Sequence, residues 1–353
     1  MQYRTLGRSG LKVSALTMGT FSFGGEGDFS MVARQGVKEA QRLVDVCIDG
    51  GINVFDTSNM YSLGRSEEIL GEVLDGRRDQ VLISSKARMR IGGGPNDEGV
   101  SRYHLIRECE RSLKRLRTDH IDIYFMHAWD GLTPLEETLS ALDTLVRQGK
   151  VRYTGCSNYS GWHIMKALHV AELRNYPRFV TQQIHYTLEA REAEYELLPI
   201  SVDQGLGVMV WSPLAAGLLS GAFGRDRSPQ SSRQAAGWSE PPIRDRERLW
   251  AIVDVLDAIA RERDATAAQI ALAWTLSRPA IASLVVGGLT EQHFKDNIAA
   301  TEIALAPGEL DRLNHVSRLA YIYPYWHQHN FARERFSDGD WALHADFENL
   351  GKV

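Results

Sequence analysis

The sequence predicts an α/β fold of the (β/α)8 TIM barrel type, in which eight parallel strands close on themselves inside a ring of helices. Short apolar runs typical of buried strands alternate along the 353 residues with helical stretches. Strictly alternating strand and helix units predict a parallel sheet. The count of eight such units favours a closed barrel over an open sheet. No sequence repeat accompanies this structural repeat.

The predicted elements follow one another with little interruption. The strands are expected at 15–18, 52–55, 81–85, 121–126, 151–156, 179–184, 207–211 and 283–286. Helices are expected near 37–49, 66–75, 101–116, 134–148, 161–173, 192–203 and 290–300. An N-terminal β-hairpin over residues 3–13 precedes them, with its turn at Ser9-Gly10. We therefore expect residues 1–353 to form a single barrel domain.

Two segments interrupt the alternation. Residues 217–248 are polar and contain Pro, Ser and Arg, which predicts a long inserted loop. The C-terminal tail, 318–353, begins with the aromatic and basic stretch YIYPYWHQHNFARERF. Barrel enzymes carry their substrate-side loops at the C-terminal ends of the strands, and we expect both segments there. A strap packed on the barrel, or a contact between subunits, is the alternative for the tail.

Composition narrows the function classes. Hydrophobic residues make up 43% and charged residues 24% of the chain, as in an ordinary globular protein. The net charge is −5, and acids and bases are interspersed along the chain. This pattern does not predict the basic surface that binds nucleic acid or an anionic membrane. No apolar run reaches about 18 residues, the length that spans a bilayer. The cysteines Cys47, Cys109 and Cys156 lack metal-binding spacing and are expected to be buried thiols in the cytoplasm.

Four chemically matched side chains occur near the ends of three consecutive predicted strands. Asp56 ends the strand 52–55, and Tyr61 follows five residues later in a loop. Lys86 and His127 are the first titratable groups after the next two apolar runs. Each has an ordinary structural explanation when taken alone: helix cap, loop packing, surface charge or core histidine. Because strand ends converge on one face of a barrel, their joint placement predicts an active site.

The residue types fit proton transfer to a carbonyl oxygen. A free phenol has a pKa of about 10, too high for easy transfer near neutral pH. A neighbouring ammonium favours the phenolate, so Lys86 would lower the pKa of Tyr61. Asp56 would keep Lys86 charged and oriented, and His127 would orient and polarise the substrate oxygen. No nucleophile is needed if a bound cofactor supplies hydride, and no metal is expected.

Several segments resemble the aldo-keto reductases. The matching stretches are GINVFDTSNMYSLGRSEEILG (51–71), the SSK that ends in Lys86, FMH with His127, and GKVRYTGCSNYS (149–160). The resemblance covers about residues 1–316 and implies a (β/α)8 barrel that reduces aldehydes and ketones with a nicotinamide cofactor. It also implies that Tyr61 is the general acid, supported by Lys86 and Asp56, with His127 beside the substrate oxygen.

The same resemblance implies a set of cofactor contacts. Ser157, Asn158 and Gln183 would hold the nicotinamide carboxamide, and Trp211 would stack on the ring. The remaining implied contacts are Gly19, Thr20 and Asp56 at the first strand ends, Ser212, Leu214 and Gly217 at the pyrophosphate, and Gly287, His293 and Asn297 at the adenosine end. The chain has no GxGxxG fingerprint, so a Rossmann unit is not expected.

NADPH is the expected cofactor, with NADH as an alternative. The chain departs from the family pattern at Ala222, where a lysine is common, and at His293, where Arg or Gln is usual. Lys295 is the one Lys or Arg in the segment 287–297 that would read the adenosine end. A 2′-phosphate needs such cations beside it, so the expected preference for NADPH is small.

Two hypotheses for function stay open. The first is a reductase of small-molecule carbonyl compounds. The second is a cofactor-binding barrel that regulates a partner with little turnover, resembling the β-subunits of potassium channels. Assembly into a homo-oligomer is compatible with either. The aromatic residues that could line a substrate pocket are Phe21, Phe23 and Trp129, together with Tyr323, Tyr325 and Trp326 of the tail.

Overall fold

The computed structural model of the chain describes residues 1–228, 237, 238 and 240–350. Eight parallel strands form a closed barrel in the order of the chain. These strands are β3 (Leu16–Gly19), β4 (Val54–Asp56), β5 (Leu82–Ala87), β6 (Ile121–Met126), β7 (Val151–Ser157), β8 (Phe179–His185), β9 (Gly207–Trp211) and β10 (Ile281–Val286). Pairing of β10 with β3, with Leu284 opposite Leu16, closes the ring. The predicted (β/α)8 fold is therefore confirmed.

Helices surround the barrel. They are α1 (Val37–Asp49), α2 (Arg65–Val73), α3 (Arg102–Leu116), α4 (Leu135–Arg147), α5 (Gly161–Arg174), α6 (Ala193–Gln204), α7 (Arg246–Glu262), α8 (Ala267–Leu276), α9 (Glu291–Ala299), α10 (Pro307–Ser317), α11 (Tyr325–Phe331) and α12 (Asp338–His344). Helix α7 begins inside the predicted loop 217–248, because Asp245 caps it by accepting a hydrogen bond from the Arg248 amide (3.0 Å). Residues 229–236 and 239 of that predicted loop lie outside the described residues.

The barrel has apolar packing on both sides of its strands. Along β6, Ile123 and Phe125 belong to the cluster inside the barrel, while Tyr124 and Met126 pack towards the helices. This alternation follows from the two-residue period of a strand. Each such side chain contributes roughly 1.5–3 kcal/mol when fully buried.

The predicted N-terminal hairpin is present and closes one end of the barrel. Its strands β1 (Tyr3–Thr5) and β2 (Lys12–Ser14) pair antiparallel. Leu6 and Val13 of this hairpin join the cluster inside the barrel. Gly7 has φ +57, and a Cβ there would lie 2.5 Å from the Gly207 nitrogen, so this contact needs glycine. The hairpin thus seals the end where β9 begins and leaves the opposite end for the site.

The C-terminal tail packs as a strap on the outer helices. Helix α12 lies against α6. Tyr325 of α11 stacks on Tyr195 of α6 with ring centroids 5.6 Å apart. The ring of Tyr325 is thus engaged on an outer helix, and its pocket-lining role stays a prediction. Tyr323 and Trp326 contact each other at 6.0 Å and are 71% and 37% exposed.

Among the described residues, no helix combines the length and apolar character that crossing a membrane requires.

Candidate active site

The centre of the site is a buried ion pair. Lys86 lies within β5, one residue before its end, and its side chain has no exposed surface. Its Nζ donates to Asp56 Oδ2 (2.5 Å) and to the Thr57 carbonyl (2.8 Å). Burial lowers the pKa of Lys86, but the negative charge of Asp56 and the neighbouring Tyr61 outweigh it and raise that pKa. Lys86 is therefore a cation near neutral pH.

Asp56 is fixed by more than its ion pair. It is the last residue of β4, and its Oδ1 accepts hydrogen bonds from Ser84 Oγ (2.7 Å) and Gln183 Nε2 (2.9 Å). Both carboxylate oxygens thus have partners, which makes burial of the charge tolerable. The carboxylate fixes the position of the ammonium of Lys86.

Tyr61 lies between the cation and the histidine. The centroid of its ring is 5.1 Å from Lys86 Nζ and 5.9 Å from the centroid of the His127 ring. Directly after Tyr61, two residues of the loop have left-handed backbone, Ser62 (φ 48) and Leu63 (φ 55). The structure therefore brings the four predicted catalytic side chains together at the C-terminal ends of β4, β5 and β6.

His127 is held as a neutral imidazole. Burial, and then the positive charges of Lys86 and Arg88, keep the pKa of His127 well below its usual range. Ser58 Oγ lies 3.1 Å from its Nδ1 and accepts from the Met60 amide (3.4 Å). In the tautomer in which the Ser58 hydroxyl donates to Nδ1, the ring proton is on Nε2. A neutral Nε2–H donor suits a substrate oxygen.

The residues expected to hold a carboxamide adjoin these four. Asn158, with φ 56, donates from Nδ2 to the His127 carbonyl (2.9 Å) and accepts from Trp211 Nε1 (3.0 Å). Ser157 Oγ donates to the Gln183 carbonyl (2.9 Å). The Gln183 side-chain oxygen and the Ser157 hydroxyl retain lone pairs for a ligand amide. This donor and acceptor set fits a nicotinamide.

Trp211 and the loop after it have the features that a dinucleotide needs. The half-buried indole stacks on His185 at 4.4 Å, with an angle of 29° between the rings. Residues 212–217 then turn sharply, with φ of 50 at Ser212, 49 at Ala215 and 55 at Ala216. At Gly217, φ is +98 and a Cβ would meet no atom within 4 Å. The open space at Gly217 permits close approach of a pyrophosphate, while Leu214 packs against the core.

The other implied cofactor contacts lie on β3, β4 and α9. Gly19 pairs with Asp56, and Thr20 Oγ1 donates to the Asp56 carbonyl (3.1 Å). Gly287 follows β10, and Asn297 is buried on α9. His293 Nδ1 accepts from the Leu289 amide (3.3 Å), so that nitrogen already has a partner. The residues present fit a nicotinamide dinucleotide.

The comparison with known proteins decides the family. The model of the Aldo/keto reductase family matches residues 15–318 of the chain. This chain belongs to the aldo/keto reductase family. An uncharacterized oxidoreductase of Bacillus subtilis (strain 168), YrpG, is 39% identical over 328 residues, covering 90% of this chain and 96% of that protein. Membership and this relative indicate an oxidoreductase acting on small molecules.

Two plant relatives carry a different name. A "Probable voltage-gated potassium channel subunit beta" of Arabidopsis thaliana is 36% identical over 326 residues, covering 90% of this chain and 96% of that protein. A protein of the same name from Oryza sativa subsp. japonica is 36% identical over 328 residues, with the same coverage. The relatives of this chain thus include one named as an oxidoreductase and two named as potassium channel subunits.

The three residues predicted to line a substrate pocket in this aldo/keto reductase lie in different surroundings. Phe21 packs edge to face on Tyr61 (5.2 Å between centroids) and lies at the site. Phe23 is wholly buried in the main core, and its place in a substrate pocket stays a prediction. Trp129, in the loop that follows β6, stacks on His163 of α5 at 3.8 Å.

Three residues near Tyr61 and Asp56 were missing from the sequence prediction. Ser84 had a usable signal, because two residues separate it from Lys86 and strand residues two apart share a face. Ser58 lies in the same loop as Tyr61, but its partner His127 is distant in sequence. Trp238 packs edge to face on Phe21 (5.3 Å between centroids) and had no local signal.

Proposed function

We propose that this chain is a carbonyl reductase, which converts aldehydes or ketones to alcohols reversibly, with Tyr61 as the proton donor. The observation that supports this proposal is the buried Lys86–Asp56 pair beside the Tyr61 ring (5.1 Å from Nζ to the ring centroid). A buried cation there favours the phenolate that remains after proton transfer. No structural need explains burying a lysine beneath a tyrosine, since apolar residues pack there at lower cost.

The protein groups divide the work at the substrate oxygen. Ser157, Asn158, Gln183 and Trp211 would hold a reduced nicotinamide cofactor, which when bound would supply a hydride for the carbonyl carbon. Tyr61 transfers its proton to the carbonyl oxygen, which completes the alcohol. His127 Nε2–H orients that oxygen. A positioned general acid typically contributes 10²–10⁴-fold.

NADPH is the proposed cofactor, preferred over NADH by a small margin. Lys295 is the cation nearest in sequence to the adenosine end, and it lies 4.0 Å from Glu291. Arg225 and Arg227 of the long loop are already engaged by acids on α7, at 2.7 Å from Glu247 and 2.6 Å from Asp257. One partly paired cation supports a modest preference for the 2′-phosphate.

Replacing Tyr61 by Phe tests the proposal. Turnover of an ordinary ketone should fall by roughly 10²–10⁴-fold, because the phenol hydroxyl alone transfers the proton. Cofactor binding, followed by quenching of tryptophan fluorescence, should be retained. The matched control is Tyr103→Phe, since Tyr103 is 60% exposed on α3 and remote from the site. A Tyr61→Phe enzyme that kept more than about a tenth of the rate would contradict the assignment.

The second candidate function is a regulatory barrel that binds the cofactor and controls a partner. The two plant relatives named as channel subunits favour it. A panel of aldehydes and ketones with reduced cofactor distinguishes the two. Steady oxidation of cofactor supports the reductase, whereas tight cofactor binding without turnover on any member supports the regulatory barrel.

We also propose a cytoplasmic location. Cys47, Cys109 and Cys156 are all buried and form no disulfide. Burial raises the pKa of each thiol, which keeps it protonated and unreactive. Buried free thiols are typical of proteins in reducing compartments.

A further inference from the structure

Arg88 lies at the mouth of the site but has no part in the chemistry described above. It directly follows β5, two residues after Lys86. On the neighbouring strand β6, Met126 pairs with Ala87, and the His127 amide donates to the Ala87 carbonyl (3.0 Å). Arg88 therefore begins the loop beside His127, on the edge where a substrate must enter.

The backbone of Arg88 is strained. Its φ of 152 lies in a region that glycine adopts readily and that other residues rarely do. The chain is fixed there by a hydrogen bond from the Gly99 amide to the Arg88 carbonyl (2.8 Å). An arginine in a glycine-like conformation loses stability relative to glycine, so its side chain needs a compensating role.

The guanidinium of Arg88 lacks a matching anion. Its Nε is buried without a hydrogen-bond partner, and its Nη1 contacts the Met89 sulfur at 3.9 Å, a weak acceptor. Within the described part of the chain, Arg88 forms no ion pair, in contrast to Arg115, which is 2.6 Å from buried Glu67. A half-buried guanidinium with an unused donor is ready to accept a planar or tetrahedral oxyanion.

The acid that interacts electrostatically with Arg88 already has hydrogen-bond partners of its own. Asp130 accepts hydrogen bonds from the Val100 amide (2.9 Å), the Leu132 amide (2.9 Å) and the Thr133 hydroxyl (2.7 Å). Burial raises the pKa of Asp130, but those hydrogen bonds and then the charge of Arg88 outweigh burial and lower it. Burial and the charge of Lys86 lower the pKa of His127 the most, and the charge of Arg88 lowers it further. Arg88 therefore projects positive charge into the site, and no carboxylate among the residues that the structure describes binds it directly.

We propose that Arg88 binds an anionic group, a carboxylate or a phosphate, on the carbonyl substrate. This inference rests on the proposed reductase function and narrows its substrate class to oxo-acids and phosphorylated aldehydes. The anion pairs with the guanidinium while the carbonyl oxygen lies between Tyr61 and His127. Because Arg88 and His127 flank the same edge, the anion and the carbonyl are expected to be separated by only a few bonds.

The test compares matched pairs of substrates that differ in charge. The pairs are 4-oxobutanoate against butanal, and glyceraldehyde 3-phosphate against glyceraldehyde. For at least one pair, kcat/KM for the anionic member should exceed that for the neutral member by about tenfold to hundredfold, the value of one charge-assisted hydrogen bond. The pair that shows the preference identifies carboxylate or phosphate as the group bound.

Arg88→Gly removes the charge at a position where glycine relieves the backbone strain, so the fold is retained. The ratio of the two kcat/KM values should then fall by about tenfold to hundredfold, mainly through KM of the anionic member. Calorimetric binding of 4-hydroxybutanoate or glycerol 3-phosphate should weaken in parallel. Arg90→Gln, an exposed arginine paired with Glu98, is the control and should leave the ratio unchanged.

Equal use of both members of each pair by the wild type would overturn the inference while leaving the reductase proposal intact. The same holds if Arg88→Gly lowers kcat/KM for both members equally, because that would assign Arg88 to the support of His127. Turnover of no member of either pair would instead count against the reductase itself.

Discussion

At the scale of single residues, the site depends on one fully buried cation. Lys86 is tolerated inside the barrel because Asp56 and the Thr57 carbonyl pair with its Nζ (2.5 and 2.8 Å). Removing one member of such a pair leaves the other uncompensated, at a typical cost of about 3–5 kcal/mol. Asp56 in turn accepts hydrogen bonds from Ser84 and Gln183. The buried ion pair is thereby connected to Gln183, one of the residues expected to bind the cofactor.

Lys86→Met should slow the same step as Tyr61→Phe. The double mutant should lose little more activity than the worse single mutant, because the two residues act as a unit. Rates are measured on one ketone at saturating cofactor, with urea unfolding as the check that each variant is folded. Losses that simply multiply would show that Lys86 works separately, for example in binding substrate.

At the scale of elements, the segment that joins β10 to α9 is the one predicted to contact the adenosine end of the cofactor. Thr290 caps α9 through its side chain, which accepts from the His293 amide (3.3 Å). The acid Glu291 follows in the first turn, and it is the residue that pairs with Lys295. A carboxylate there opposes a 2′-phosphate and favours a free ribose hydroxyl, which offsets part of the attraction of Lys295.

Titration of both reduced cofactors by tryptophan quenching should show NADPH binding roughly tenfold to hundredfold more tightly than NADH. Lys295→Gln should reduce that margin, and Lys166→Gln on the remote helix α5 serves as its control. Tighter binding of NADH would reverse the preference. A margin beyond about a thousandfold would require a further cation, and Arg225 and Arg227 are the first to replace.

The tail elements contain a second set of titratable groups. His344 of α12 is buried, stacks on Phe336 (4.1 Å) and lies near His329 (5.9 Å). Its Nδ1 bonds to the hydroxyl of Tyr321. Burial, and then the charge of His329, lower the pKa of His344 from 6.5 to about 4, against an opposing effect of Asp340.

Acid should loosen this packing. Between about pH 6.5 and about pH 4, the unfolded chain binds a proton at His344 and the folded chain does not. The free energy of unfolding therefore falls as the pH is lowered through that window. His344→Phe should flatten the fall, as measured by urea unfolding at each pH, with pH 8 as the baseline. An unchanged slope in the variant would mean that other buried histidines account for it.

At the scale of the whole molecule, a buried ionic cluster fastens the tail to the barrel. Asp346 pairs with Arg191, which precedes α6, and with Arg278, which follows α8 (2.6 Å). Glu194 of α6 accepts from Arg191 Nε (2.9 Å). Two cations and two anions thus balance between elements that are distant in sequence.

Asp346→Asn should destabilise the protein by about 3–5 kcal/mol, because it leaves two buried guanidinium groups with one carboxylate. Limited proteolysis should cut the tail faster, and urea unfolding gives the magnitude. Asp338→Asn changes an exposed acid of the same tail and should cost less than about 1 kcal/mol. Equal effects of the two changes would show that the cluster does not hold the tail.

The sequence by itself determined the barrel and the meeting of four side chains. Alternating apolar runs and helical stretches are local patterns, and the geometry of a parallel barrel brings Asp56, Tyr61, Lys86 and His127 to one end. The functional roles of these residues remain predictions.

Only the tertiary structure decided the rest. It buried Phe23, brought Trp238 to Phe21, placed the tail on α6 and left Arg88 without an ion pair among the described residues. Each of these depends on contacts between residues far apart in the chain. Local periodicity fixes which face a residue takes within its own strand or helix, but it carries no information about which distant side chain will face it.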